Sequence, residues 1–116
     1  MRDLTRPYRM VSSTDCSATG LQRALRVMGG KWKPLILWHL RTGPVRFAAL
    51  RRGIPGISEK MLAQHLRQLE GDGLVSRPAM GRAPQRVEYA MTPLGGRLDP
   101  AIRALSRWGD ETVRAT

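Results

Sequence analysis

Residues 54–70 read IPGISEKMLAQHLRQLE, and this stretch decides the fold. Ile54-Pro55-Gly56-Ile57 reads as a tight connection, because proline lacks an amide donor and glycine favours turns. Ser58 then offers an N-cap oxygen to a new helix, and Glu59 suits the positive end of its dipole. Leu62, Leu66 and Leu69 recur at i, i+4 and i+7, a single apolar stripe on a helix predicted from about Glu59 to Glu70. At ~100° per residue, Lys60, Gln64, Arg67 and Gln68 fall on the opposite side. Just upstream, a short helix is predicted from Arg46 to Arg52, with Phe47, Leu50 and Ile54 pointing inward. Two helices joined by a short Gly-containing turn, the second offering long hydrogen-bonding side chains to solvent, make a helix-turn-helix layout.

Downstream, Asp72-Gly73 is a turn. Leu74, Val75 and Arg77, then Arg86-Val87-Glu88-Tyr89-Ala90-Met91, read as two short strands. Met80-Gly81-Arg82-Ala83-Pro84 between them is a loop of turn formers carrying Arg82. A hairpin directly after the second helix of such a pair is a wing. Thr92 can cap a final helix with Pro93 at its first position. Leu94, Leu98, Ile102, Leu105 and Trp108 hold an apolar stripe along that helix to Gly109.

Upstream, Leu21, Leu25 and Met28 keep helical spacing until Gly29-Gly30 stops them. From Lys31 to Leu40, Trp32, Leu35, Ile36, Trp38 and Leu40 predict a second, heavily buried helix. Pro34 is tolerated in its first turn, where no amide donor is needed. Thr42-Gly43-Pro44 is a loop. Residues 1–15 show no periodicity and read as a flexible basic arm before a single domain over residues 16–116. The expected architecture is mainly α with a small β-hairpin wing, a winged helix-turn-helix.

Composition agrees with that reading. A chain of 116 residues holds one modest core. No apolar run approaches the ~18–20 residues of a membrane span, and Met1 to Val11 lacks the apolar centre of a signal peptide, so the cytoplasm is expected. One cysteine, Cys16, cannot form an internal disulfide. Twenty Lys plus Arg against nine Asp plus Glu give a net charge of +11, which attracts polyanions, nucleic acid first. The charge is uneven. Residues 1–57 hold eleven basic and two acidic groups, whereas residues 98–116 hold three of each.

Other chemistries find little footing. His39 and His65 lie on different helices, with no paired carboxylates or nucleophile at a recognisable spacing, so no enzyme is expected. Cys16, His39 and His65 lack the spacing of a metal site, and no cofactor is implied. Trp32, Trp38 and Trp108 sit at core spacing, although a small-molecule pocket between them stays open.

Several ordered segments together resemble the HxlR-type regulators, a branch of the MarR-like winged-helix group. They are Gly29-Gly30-Lys31-Trp32, Gly43-Pro44-Val45-Arg46-Phe47, and Pro55 to Leu62. Leu69-Glu70-Gly71-Asp72-Gly73-Leu74-Val75, Arg86-Val87-Glu88-Tyr89 and Thr92-Pro93-Leu94-Gly95 come next, in order. The resemblance covers roughly residues 20–110. It implies a regulator that binds double-stranded DNA as a homodimer, joined through helices at both ends of the domain. His65 and Gly71 depart from the family pattern, where arginine and an acidic residue are common. Family members that sense oxidants carry an N-terminal cysteine, usually about one helical turn nearer the Gly-Gly pair than Cys16.

On this reading Lys60, Met61, Gln64, His65, Arg67 and Gln68 face the major groove. Gln64 can pair with adenine, and Lys60 and Arg67 can reach guanine or phosphate. Ser58 would hold a phosphate at the helix N-terminus together with free amides, and Arg46 is a further candidate for DNA contact. Arg82 and Arg86 would touch backbone or minor groove from the wing. Cys16 is a candidate redox or electrophile switch, its plain alternative being an incidental surface thiol. A sequence-specific repressor, a non-specific DNA coater, a small-molecule-responsive regulator and a winged protein adaptor all remain open at this level.

Overall fold

The computed structural model describes residues 16–77 and 87–115. Among these residues, six helices and three short strands run in the order α1 (Ala18–Met28), α2 (Trp32–Leu40), β1 (Val45–Arg46), α3 (Phe47–Gly53), α4 (Glu59–Gly71), β2 (Val75–Ser76), β3 (Glu88–Met91), α5 (Pro93–Gly96) and α6 (Asp99–Ala115). The core forms where α2, α3 and α4 meet. Ile36, Leu37 and Leu40 from α2, Leu50 from α3, Ile54 from the turn and Leu62, Leu66 and Leu69 from α4 are fully buried there. The leucine stripe of α4 therefore faces inward, as the spacing predicts. Burying each of these side chains contributes about 1.5–3 kcal/mol.

The helix ends explain themselves locally. Ser17 caps α1, its Oγ accepting from the Gly20 amide at 2.9 Å. Arg41 closes α2, donating to the Trp38 carbonyl at 2.9 Å with its guanidinium 3.7 Å above the Trp38 ring. At the end of α4, Leu74 N–H bonds the Leu69 carbonyl and Gly73 N–H the Glu70 carbonyl, both at 3.0 Å. That is a Schellman closure, so Gly71 stays in the helix and its end is held.

A three-stranded antiparallel sheet in the order β1-β3-β2 leans on this helical core. Val45 pairs with Tyr89 and Arg46 with Glu88 on one side of β3, and Val75 with Met91 and Ser76 with Ala90 on the other. The strand β1 is a correction to the sequence reading, which placed Arg46 in the α3 helix. Two residues carry no period of their own, and β3 recruits them from far along the chain.

Thr92 ties the wing to the C-terminal helices. Its Oγ1 donates to the Gly73 carbonyl at 2.6 Å and accepts from the Gly95 amide at 3.0 Å. Gly95 lies so close that an added Cβ would overlap the backbone of Leu74. The single final helix expected from Pro93 to Gly109 is in fact two, α5 and α6. Pro100 is the physical reason: it has no N–H for the Gly96 carbonyl and its ring would clash there, so a helix must restart.

Two burial expectations also fail. Leu35 is 42% exposed, because α2 turns Ile36, Leu37 and Leu40 inward and Leu35 out. Trp108, expected at core spacing, is 67% exposed on α6, while Trp32 and Trp38 are half-buried against the core. Among the described residues no helix is long and apolar enough to cross a membrane.

Candidate nucleic-acid interface

The approach to α4 is set by its turn. Gly56 sits at φ +90, a conformation that L side chains rarely adopt, and Ile57 N–H closes the turn on the Ile54 carbonyl at 3.3 Å. Ser58 caps the helix as its sequence implies, its Oγ accepting from the Met61 amide at 3.0 Å. Arg51 of α3 reaches Glu59 in the first turn of α4 at 3.5 Å. Both side chains are at least half exposed, so this pair contributes little energy.

The outer face of α4 is continuous and polar. Lys60, Gln64, Arg67 and Gln68 are all exposed, with Ser58 at the head of the row. Met61 and His65 stand half-buried at its shoulders. The Nδ1 of His65 is buried without a hydrogen-bond partner among the described residues. The row is a rigid one, since its inner side is pinned by Leu62, Leu66 and Leu69. A capped helix of 13 residues, about 20 Å long, presents these groups along one edge. A helix about 10–12 Å across fits a major groove about 12 Å wide.

Arg46 does not join this row. It stands on β1 with its Nε 3.8 Å from the Glu88 carboxylate. It lines a cleft between α3 and the sheet together with Arg52 and Arg77, which the sequence reading did not single out. Their only sequence signal is basic charge, and the strand register that gathers them is invisible without β1. Arg82 and Arg86, expected in the wing, lie outside the described residues.

A second surface is apolar. Leu21 and Leu25 on α1 are 61% and 58% exposed, while Val27 and Met28 at the end of that helix pack partly against the core. Leu105 and Trp108 on α6 are exposed to a similar degree. Cys16 is exposed one residue before the Ser17 cap of α1. Among the described residues no group of three His, Cys, Asp or Glu side chains could hold a metal ion.

Known proteins share this geometry. Residues 27–116 match the family model described as HxlR-like helix-turn-helix. The uncharacterized HTH-type transcriptional regulator YkvN of Bacillus subtilis (strain 168) is 48% identical over 90 residues, covering 78% of this chain and 76% of that one. The solved structure of the redox regulator HypR in its reduced form superposes with a TM-score of 0.77 at 35% identity, over 84% of this chain and 99% of that one. The reduced form of the transcriptional regulator YodB from B. subtilis gives 0.72 at 32% identity, over 83% and 94%. By sequence and fold this chain belongs to the HxlR-like helix-turn-helix family of transcriptional regulators.

Proposed function

We propose that the chain is a homodimeric repressor that reads a near-palindromic operator with the exposed face of α4. The observation that carries this is the division of α4: three leucines fully buried on one side, four long polar side chains exposed on the other. Gln64 can bond adenine N6 and N7 in bidentate fashion, and Lys60 and Arg67 suit guanine O6 and N7 or a phosphate. Ser58 uses an oxygen lone pair on Met61, which leaves its hydroxyl proton for a phosphate oxygen at the head of the helix. The exposed leucines of α1 and the Leu105–Trp108 face of α6 support a two-fold partner, as does the neutral charge of residues 98–116. Repression then needs only occupancy of the operator.

Selection of bound sites from random duplexes tests this reading. The expected result is an inverted repeat with half-sites about one DNA turn or more apart. Enrichment of no sequence at all would leave a non-specific DNA coater, and no retention of DNA would leave a protein adaptor.

A second reading adds a redox input at Cys16. It is supported by the exposure of the thiol beside the α1 cap, and by the likeness to HypR, itself described as a redox regulator. Diamide would take two electrons and two protons from a pair of thiols, one per copy, and leave a disulfide across the dimer. Operator affinity should then change on diamide treatment in the wild type and stay fixed in Cys16→Ser. Equal affinity in all four samples would reduce Cys16 to a bystander.

A further inference from the structure

The cleft between α3 and the wing strands holds three arginines around an apolar floor, with an open volume of about 910 Å³. Because β3 is the middle strand, Arg46 leaves the sheet from one edge and Arg77 follows β2 on the other. Those edges are about 10 Å apart, two strand spacings. Tyr89 of β3 and Val87 just before it lie between them, and Phe47 packs its ring 6.4 Å from that of Tyr89. Arg52 enters from α3. Glu88 is the carboxylate that the described residues place nearby, 3.8 Å from Arg46. It braces that guanidinium and leaves the group of four with a formal surplus of two positive charges.

We propose that this cleft is a phosphate clamp that grips the backbone of the duplex beside the groove read by α4, with Arg52 and Arg77 as its principal donors. The inference rests on the DNA-reading role of α4. Three observations lead to it. Guanidinium forks match phosphate oxygens, and the exposed Arg52 and Arg77 can present theirs to a passing strand. The wall that carries Arg52 is α3, whose Leu50 and following Ile54 are buried in one core with Leu62 and Leu66 of α4, so that wall and the reading helix are packed as one unit. Finally, on the proposed reading a duplex whose bases face α4 would carry its sugar-phosphate strand past the neighbouring α3, and a strand of regularly spaced negative charge complements a row of cations. Gripping phosphate carries no base information. The clamp therefore fixes register and orientation while α4 supplies the preference.

The test uses the full chain and a short mixed-sequence duplex, with affinity measured by fluorescence anisotropy over a range of salt. Arg52→Ala and Arg77→Ala should each weaken binding to every sequence alike and lower the slope of log K against log salt by about 0.9, the double variant by about twice that. Arg52→Lys and Arg77→Lys keep the charge and should keep the slope, which separates a lost contact from a damaged fold. Gln64→Ala is the contrasting variant, altering base preference with the slope intact. A double variant with native circular dichroism and the wild-type slope overturns the clamp. Lysine variants that lose as much slope as the alanines overturn it too, since the loss is then structural. If inorganic phosphate occupies the cleft at concentrations too low to act as salt, and the duplex slope is the same in every variant, the cleft takes a free anion instead. A wild-type protein that binds no duplex sinks the reading of α4 and the clamp together, whereas normal wild-type binding with unchanged variants sinks the clamp alone.

Discussion

Gly95 shows how one small residue can hold two parts of the fold in contact. It sits against the Leu74 backbone while Thr92 bonds the Gly73 carbonyl, so α5 and the end of β2 are pressed together without a side chain between them. Gly95→Ala should destabilise the protein by about 1–3 kcal/mol, because the atom it meets is backbone and cannot step aside. Gly96→Ala is the control, since nothing lies within 4 Å of its added Cβ. A helical alanine there should be neutral or slightly stabilising. Urea midpoints for the two variants check the difference, and equal midpoints would show that the close approach is not real. At this scale the sequence is readable wherever the reason is local. Ser58 and Thr92 cap as expected because a cap needs only its own next three residues. Leu35 and Trp108 are misplaced by spacing because periodicity marks an apolar residue without saying whether the surface it faces is covered within one chain.

Among the elements, α4 is legible in the sequence nearly to the residue, and β1 is not legible at all. A 13-residue helix with a cap and a three-leucine stripe announces itself, whereas a two-residue strand exists only because β3 pairs with it. The split of the final helix is in principle open to reading, for Pro100 is in the sequence, but the leucine spacing across it is the louder signal. The least self-sufficient element is α1. Eleven residues are too few for a stable isolated helix in water, and α1 packs Val27 and Met28 partly against the core while Leu21 and Leu25 stay exposed. In the proposed dimer these leucines would be covered by the exposed face of α6 on a second copy. Leu25→Asp and Trp108→Asp should each halve the mass seen by light scattering at micromolar concentration while far-UV circular dichroism keeps most of its amplitude. A wild-type mass already that of one chain would refute the two-fold contact.

Across the whole molecule the charge, the apolar surface and the polar edge of α4 divide the labour. The surplus of positive charge lies in the first half of the chain, which contains the arginines of α3 and leads directly into α4. In the proposed dimer the neutral C-terminal helix would offer its large apolar side chains to another protein surface, where charge would be costly to bury. From sequence alone the DNA-reading row can be drawn, because helical geometry converts spacing into a face. The cleft with Arg52 and Arg77 cannot, because it depends on which strands pair and in what register. On the proposed reading recognition of DNA turns on α4, and the most direct measurement of its role is a ratio. Affinity for the duplex sequence selected from a random pool is compared with affinity for a scrambled duplex of equal length at the same salt. For the wild type the ratio should be about 10³ or more. Gln64→Ala and Arg67→Ala should each cost about 1–3 kcal/mol on the selected site alone, so the ratio falls. A wild-type ratio near one, or a ratio that both alanine variants leave unchanged, would contradict the claim that α4 reads the bases.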